Sequence, residues 1–346
     1  MKILILGVNG FIGHHLSKRI LSDTDWEVYG MDMNSNRVDD FIDNKKFNFF
    51  EGDITINNEW MEYHIKKCDV ILPLVAIATP STYVEDPLKV FELDFEANLP
   101  IVRYCVKYKK RLLFPSTSEV YGMSNEKEFH PYTTDIVLGP VNKSRWIYSC
   151  SKQLMDRIIL AYGEKDGLDY TLFRPFNWYG TGLDSIHTPK EGGSRVITQF
   201  LGNIVRGKNL LLVDGGSQKR AFTYIDDGID ALIKIIENKN SIASGKIYNI
   251  GNPNNDYSIK DLAKIMLNIA SEIKEYANLA VNTKIIDVSS NEYYGKGYQD
   301  VKSRVPWIEN AKDELGWTPK VDLNDGIKAI FEFYKNDISD AGGLVD

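Results

Sequence analysis

The sequence predicts an α/β fold: a doubly wound parallel sheet with a smaller, interleaved C-terminal lobe. Three observations carry this expectation. Short apolar runs alternate with helix-period segments through the first half of the chain. A glycine-rich turn joins the first run to the first helical segment. After Pro175 the texture becomes loop-rich, and sheet-like and helical runs then return at 222–236 and 246–250.

Lys2–Leu6 is a continuous apolar run of strand length, and 11–21 follows it with helical spacing. The runs at 27–31, 47–51, 70–74 and 111–114 continue the series of strands. Helical patterns fall between them at 59–67 and over the long stretch 88–108. A helix over 145–164 comes next, then a strand at 169–173. Apolar strands alternating with helices describe a parallel sheet covered on both faces. Residues 178–193 are rich in Gly, Pro, Thr and Asp and read as a loop. Beyond it, 195–205 reads as a helix and 210–213 as a strand, while 258–273 and 322–335 have helical periodicity. A nucleotide-binding domain is therefore expected over 1–177, with 221–250 returning to it. A substrate-binding lobe is expected over 178–220 and 251–346.

The chain has 346 residues, long enough for two fused lobes. Its formal net charge is −7, from 41 basic and 48 acidic residues, which argues against a nucleic-acid surface. Cys68, Cys105 and Cys150 lack paired or metal-type spacing and fit a reducing compartment. His14 and His15 point apart on a helix and the other histidines are scattered, so no metal site is expected. The longest apolar run, 70–78, is interrupted by Pro73 and is shorter than the ~20 residues a membrane helix needs. No signal peptide is visible. The expectation is a cytoplasmic enzyme acting on a small molecule, with no nucleic-acid or membrane partner.

The turn Gly7-Val8-Asn9-Gly10-Phe11-Ile12-Gly13 sits between strand and helix, the context of a Rossmann dinucleotide site. Gly7 permits the tight turn, Gly10 lets backbone approach a phosphate, and Gly13 allows close packing of helix on strand. Phe11 and Ile12 open the helix, whose N-terminus favours an anion. Asp32, at the end of the second strand, can accept from the ribose hydroxyls and would repel a 2′-phosphate, so NAD is favoured over NADP. Arg37 nearby keeps NADP open. Asp53 and Ile54 follow the third strand, where they can face the adenine. Ala76, after the fourth strand, leaves room for the cofactor ribose.

Tyr148-Ser149-Cys150-Ser151-Lys152 places a phenol and an ammonium one helical turn apart. A nearby lysine is expected to lower the tyrosine pKa from about 10 towards that of a usable base. Pro115-Ser116-Thr117-Ser118-Glu119 begins where the fifth strand ends, the edge at which open α/β sheets place chemistry. Thr117 or Ser118 can hydrogen-bond the reacting alcohol. Hydride removal from an alcohol carbon follows from this set.

Together these segments resemble the extended short-chain dehydrogenase/reductase family, over nearly the whole chain. The nearest likeness is to its UDP-glucuronic acid decarboxylase branch, including the decarboxylase domain of a bifunctional polymyxin-resistance protein. It is carried by 4–13, 72–80, 114–122, 139–152, 173–178 and especially Tyr293-Tyr294-Gly295-Lys296-Gly297-Tyr298-Gln299-Asp300-Val301 through Arg304. The resemblance implies oxidation of UDP-glucuronate at C4 by NAD, loss of carbon dioxide and formation of UDP-4-keto-pentose. It implies a proton-handling role for Glu119, whose pKa is expected to be raised by partial burial. It places Arg304 at a proposed proton donor, although a guanidinium keeps its proton and orients a carboxylate more readily. It implies substrate contacts for Arg145, Asn177 and Tyr298, a diphosphate contact for Arg220 with Arg195 as a second candidate, and closure over the cofactor for Tyr83. It implies a homodimer through helices near 88–108 and 145–164.

Departures from the branch are Leu211 in place of a lysine, a divergent 181–193 loop, and no preceding formyltransferase domain. Other endings stay open on the sequence. Return of hydride would make a UDP-xylose synthase. Apiose synthase is disfavoured by Ala78 and Ser118 where that branch has cysteines. A 4,6-dehydratase would carry an Asp-Glu pair where this chain has Ser118-Glu119, and a 4-epimerase would not need Glu119. A non-catalytic NAD-binding sensor is the reading from a different class.

Overall fold

The structure, a computed structural model, describes residues 1–186 and 194–338. Seven strands form one parallel sheet: β1 (Lys2–Leu6), β2 (Glu27–Asp32), β3 (Phe47–Glu51), β4 (Val70–Pro73), β5 (Arg111–Pro115), β6 (Tyr170–Pro175) and β7 (Lys246–Ile250). Their order is β7-β6-β5-β4-β1-β2-β3, so the order in which strands are added to the sheet reverses between β1 and β4. Ile3, Leu4, Ile5 and Leu6 are all fully buried, as a strand covered on both faces requires. The fold is the doubly wound α/β architecture expected from the alternating runs.

Helices α1 (Phe11–Asp23), α2 (Asn58–Lys67), α3 (Leu99–Tyr108), α4 (Ile147–Asp166), α5 (Val196–Val205) and α6 (Ile225–Glu237) position the site. Two buried clusters lie on the two faces of the sheet, one carrying Leu16, Ile20, Ile229 and Leu232, the other Met61, Ile65, Val102 and Met155. Helix α4 carries Tyr148, Lys152 and Met155 on its buried side. Helix α6 packs on α1, and the chain then enters β7 beside β6.

Three elements differ from the sequence expectation. The stretch 88–108 is not one helix. Pro87–Phe91 is a short helix, Glu92–Glu96 widens into a π-helical turn, and α3 begins at Leu99 with Pro100 in its first turn. Pro100 lacks the amide that a continuous helix would need there. The expected 178–193 loop begins instead with Trp178–Tyr179, paired in parallel with Thr223–Tyr224. Residues 187–193 of that loop, His187 among them, lie outside the described residues. Leu210–Val213 is a strand, but its partner Ile285–Val288 was not anticipated. The partner, Ile-Ile-Asp-Val, is only four residues long and offers no clear alternation.

No helix among the described residues is long and apolar enough to cross a membrane. Among them no group of three or more His, Cys, Asp or Glu could hold a metal ion.

Candidate active site

A cleft of about 750 Å³ runs along the C-terminal edge of the sheet. Gly7, Gly10, Phe11, Ile12 and Gly13 line one end, Asp32 and Arg37 one flank, Ala76 to Thr79 the floor, and Thr117, Tyr148 and Lys152 the other end. Gly7 has φ +89°, a left-handed value that suits glycine. A Cβ at Gly13 would lie 2.3 Å from the Gly7 carbonyl oxygen, so helix and turn touch there backbone to backbone. No side chain caps α1 at Gly10, and its first turn holds no acidic residue. The helix start is therefore available to a pyrophosphate.

Asn9 organises the ribose end. Its amide N–H donates to Asp32 Oδ2 at 2.9 Å, and its side-chain carbonyl accepts from the Arg37 amide at 2.8 Å. Its amide group also donates to Asn34 at 2.5 Å and Asn36 at 2.9 Å. Burial pushes the Asp32 carboxyl up, against the amides of Met33 and Asn9 and the charge of Arg37. Asp53 and Ile54 line a side pocket with Met31, Met33 and Val75. Asp53 Oδ1 accepts from Thr55 in its own turn. These groups fit a bound dinucleotide.

Gly13→Ala is predicted to place a methyl group against the Gly7 carbonyl and shift α1 off β1. NAD affinity should fall at least about tenfold, read by fluorescence titration, with a lowered Tm.

At the other end Tyr148 stacks on Tyr83, with ring centroids 4.7 Å apart and planes 6° off parallel. Both rings are buried. The expected lowering of the phenol pKa by Lys152 is not what this geometry gives. Burial pushes Tyr148 up, the Asp94 carboxylate adds to the rise, and a hydrogen bond with Thr117 opposes it. Lys152 Nζ lies 5.9 Å from the centre of the Tyr148 ring. It donates instead to the Pro115 carbonyl at 3.2 Å and lies 3.6 Å from Asp94 Oδ1.

A second cavity adjoins the first and shares Tyr148, Thr117, Asn177 and Arg195 with it. Ser118, Glu119, Arg145, Arg220, Tyr298 and Arg304 line this second cavity, as does Tyr83. Glu119 Oε2 lies 2.6 Å from Arg145 Nη1, and Glu119 Oε1 accepts from Arg304 Nη1. Arg145 and Arg304 are 2% and 4% exposed, so this is a buried Arg–Glu–Arg cluster. Burial alone would raise the Glu119 pKa, but the two guanidiniums outweigh it and hold the carboxyl well below the usual range. The expectation of a raised pKa is corrected on that ground: the cluster keeps Glu119 ionised.

The segment 293–304 forms the roof. Arg145 Nε donates to the Gln299 carbonyl at 2.7 Å, while its guanidinium lies over the Trp146 ring. Tyr294 and Tyr298 stack with centroids 4.1 Å apart. Arg220 is held by Asp300 at 2.5 Å and by the Val301 carbonyl at 2.8 Å. Asn177 has φ +43° and donates to the Ala221 carbonyl, a left-handed position that asparagine tolerates better than most. Arg195 precedes α5 and pairs with Asp184 at 2.5 Å. Leu211 faces the cavity beside Phe200 and Ile259 as an apolar wall.

Residues 3–251 match the NAD dependent epimerase/dehydratase family. The chain belongs to that family. It is similar over its whole length to the crystal structure of PbgP3 protein from Burkholderia pseudomallei. Identity is 63%, coverage is 100% of this chain and 99% of that one, and the TM-score is 0.89. Pal from Bacillus thuringiensis is 25% identical at a TM-score of 0.80, covering 97% of this chain and 99% of that one. UDP-glucuronic acid 4-epimerase from Bacillus cereus, solved with UDP-glucuronic acid and NAD, shares the fold. It has 22% identity and a TM-score of 0.79, with 97% and 99% covered. This epimerase/dehydratase-family enzyme is NAD-dependent.

Reading the sequence missed the acidic partners of this family member's site. Asp94, Asp184 and Asp300 pair with Lys152, Arg195 and Arg220. Asp94 and Asp184 lie in no recognisable motif, and Asp300, although inside the 293–301 segment, has no role readable from that segment alone. Asp94 and Asp300 are distant in sequence from the cations they hold, so no local pattern marks those pairings.

Proposed function

We propose that the enzyme oxidises UDP-glucuronate at C4 and decarboxylates the product, giving UDP-4-keto-pentose. The observation that supports this most is the charge buried at the sugar end. Arg145 and Arg304 share one carboxylate, Glu119, in the same cavity as Tyr148. One positive charge is left over, which suits an anionic uronate better than a neutral sugar.

NAD, held by the glycine turn and Asp32, would supply the acceptor for the C4 hydride. Tyr148 takes the O4 proton, with the Thr117 hydroxyl hydrogen-bonded beside it. The C4 carbonyl is β to the carboxylate, so carbon dioxide leaves as its electron pair is delocalised into that carbonyl, and a proton is then delivered to C5. Arg304 keeps its proton and acts by orienting the uronate. A uronate that draws one guanidinium away would release Glu119, whose burial then favours the protonated form and fits it for proton handling. Arg220 suits the diphosphate by its forked geometry.

Mixing enzyme, NAD and UDP-glucuronate is expected to give NADH absorbance stoichiometric with product. The product should have lost carbon dioxide and two hydrogens by mass spectrometry. Loss of carbon dioxide alone, without NADH, would mean UDP-xylose. An isomer of unchanged mass would mean epimerisation. No product of any kind would overturn the substrate.

A further inference from the structure

We propose that Asp94 is a positioning residue of the hydride-transfer site: one buried carboxylate that holds the Lys152 ammonium and the Ile77 amide in fixed register. Three observations converge on it. The Asp94 side chain is 0% exposed, a costly place for a carboxylate unless it is partnered. Both of its partners belong to the cofactor cleft. Oδ2 accepts from the Ile77 amide at 3.0 Å, and Oδ1 lies 3.6 Å from Lys152 Nζ. Finally, Asp94 is the centre of the π-helical turn Glu92–Glu96. Such turns interrupt helices at functional positions more often than elsewhere. Glu92 and Glu96, two residues to either side, are exposed, so Asp94 alone of the three is turned inward.

The consequence falls on Lys152. This side chain is 1% exposed, and burial drives its pKa down, against the charges of Asp94 and Asp156. Asp94 is the carboxylate in contact with it. With that charge removed, desolvation favours the neutral amine. The ammonium that the site needs then depends on a residue in a different helix. The Ile77 contact extends the same control to the wall that faces the cofactor.

The groups facing Asp94 are Lys152 from α4 and the Ile77 amide from the segment after β4. The phenols of Tyr148 and Tyr83 lie within its field. Burial pushes Asp94 up to about 6, while Lys152 and the Ile77 amide pull it down. Lowering the pH through that value protonates Asp94 and frees Lys152.

The inference rests on Tyr148 and Lys152 being the hydride-transfer pair, and not on the identity of the sugar. NAD affinity is therefore measured first, by fluorescence titration on both sides of pH about 6. The native protein should lose about tenfold in NAD affinity on the acid side. Asp94→Asn should bind NAD more weakly at neutral pH and show no such acid limb. Asp94→Glu, which keeps the charge, should restore part of the pH dependence. The kcat for UDP-glucuronate should follow the same profiles, and failure of that substrate leaves the NAD titrations standing. A flat native affinity across the window would overturn the proposal. So would an Asn variant that keeps the native acid limb. If the Asn variant does not fold, the native titration decides.

Discussion

Tyr148→Phe is expected to abolish NADH formation from UDP-glucuronate, with kcat lowered by about 10²–10⁴-fold. The change removes one oxygen and keeps the ring. The stacking on Tyr83, at 4.7 Å, is unaffected, so the fold and the cofactor cleft should persist. The phenol is buried and its pKa is pushed up, so it does not ionise unaided at neutral pH. Its activation must come from groups that ligands bring into the site or rearrange there. NAD affinity of the Phe variant should stay within about threefold of native, because the hydroxyl supplies at most one hydrogen bond. A variant that still produced NADH at the native rate would exclude Tyr148 as the group that takes the O4 proton.

The second large effect is expected at Glu119, and it is as much structural as catalytic. Arg145 and Arg304 are almost fully buried, and Glu119 is the carboxylate that pairs with both, leaving one positive charge uncompensated. Glu119→Ala leaves two guanidiniums facing each other without a counter-charge, a loss of about 3–5 kcal/mol by analogy with broken buried pairs. Denaturant unfolding should report this as a lower midpoint at an unchanged m-value. Glu119→Gln keeps the shape and one acceptor, so it should lose less stability and still lose turnover. The sign of the pH dependence follows from the depressed carboxyl. The folded pKa lies well below the ordinary value of 4.5, so the stabilisation is complete above that value. It is lost as the pH falls from there through the folded value. The Gln variant should therefore unfold less steeply with acid than the native protein does.

Much of the architecture was legible because it is local. The alternation of apolar runs with helical segments marks the sheet, and the glycine turn marks the strand-to-helix corner without any tertiary information. The glycines, Asp32, Thr117, Tyr148 and Lys152 line one cleft, whereas Glu119, Arg145 and Arg304 meet in the adjoining one. What was hidden is pairing. The sign of the Glu119 shift depends on Arg304, 185 residues away. The Tyr148 shift depends on burial and on Asp94, whose inward turn comes from a π-helical widening that periodicity at 3.6 residues cannot anticipate. The strand Ile285–Val288 was hidden for a related reason: its pairing with Leu210–Val213 spans 75 positions, and its own sequence alternates too weakly to announce it.

The placement of β7 at the sheet edge bears on how the polypeptide matures. Until residues 246–250 emerge during synthesis, the hydrogen-bonding flank of β6 stays open to any other extended chain. Arg111 meanwhile awaits the Ile235 and Ile236 carbonyls that receive its guanidinium in the finished protein. A nascent chain in which β6 has emerged and β7 has not would therefore carry an open strand margin, making that interval the one at which a holdase is most needed.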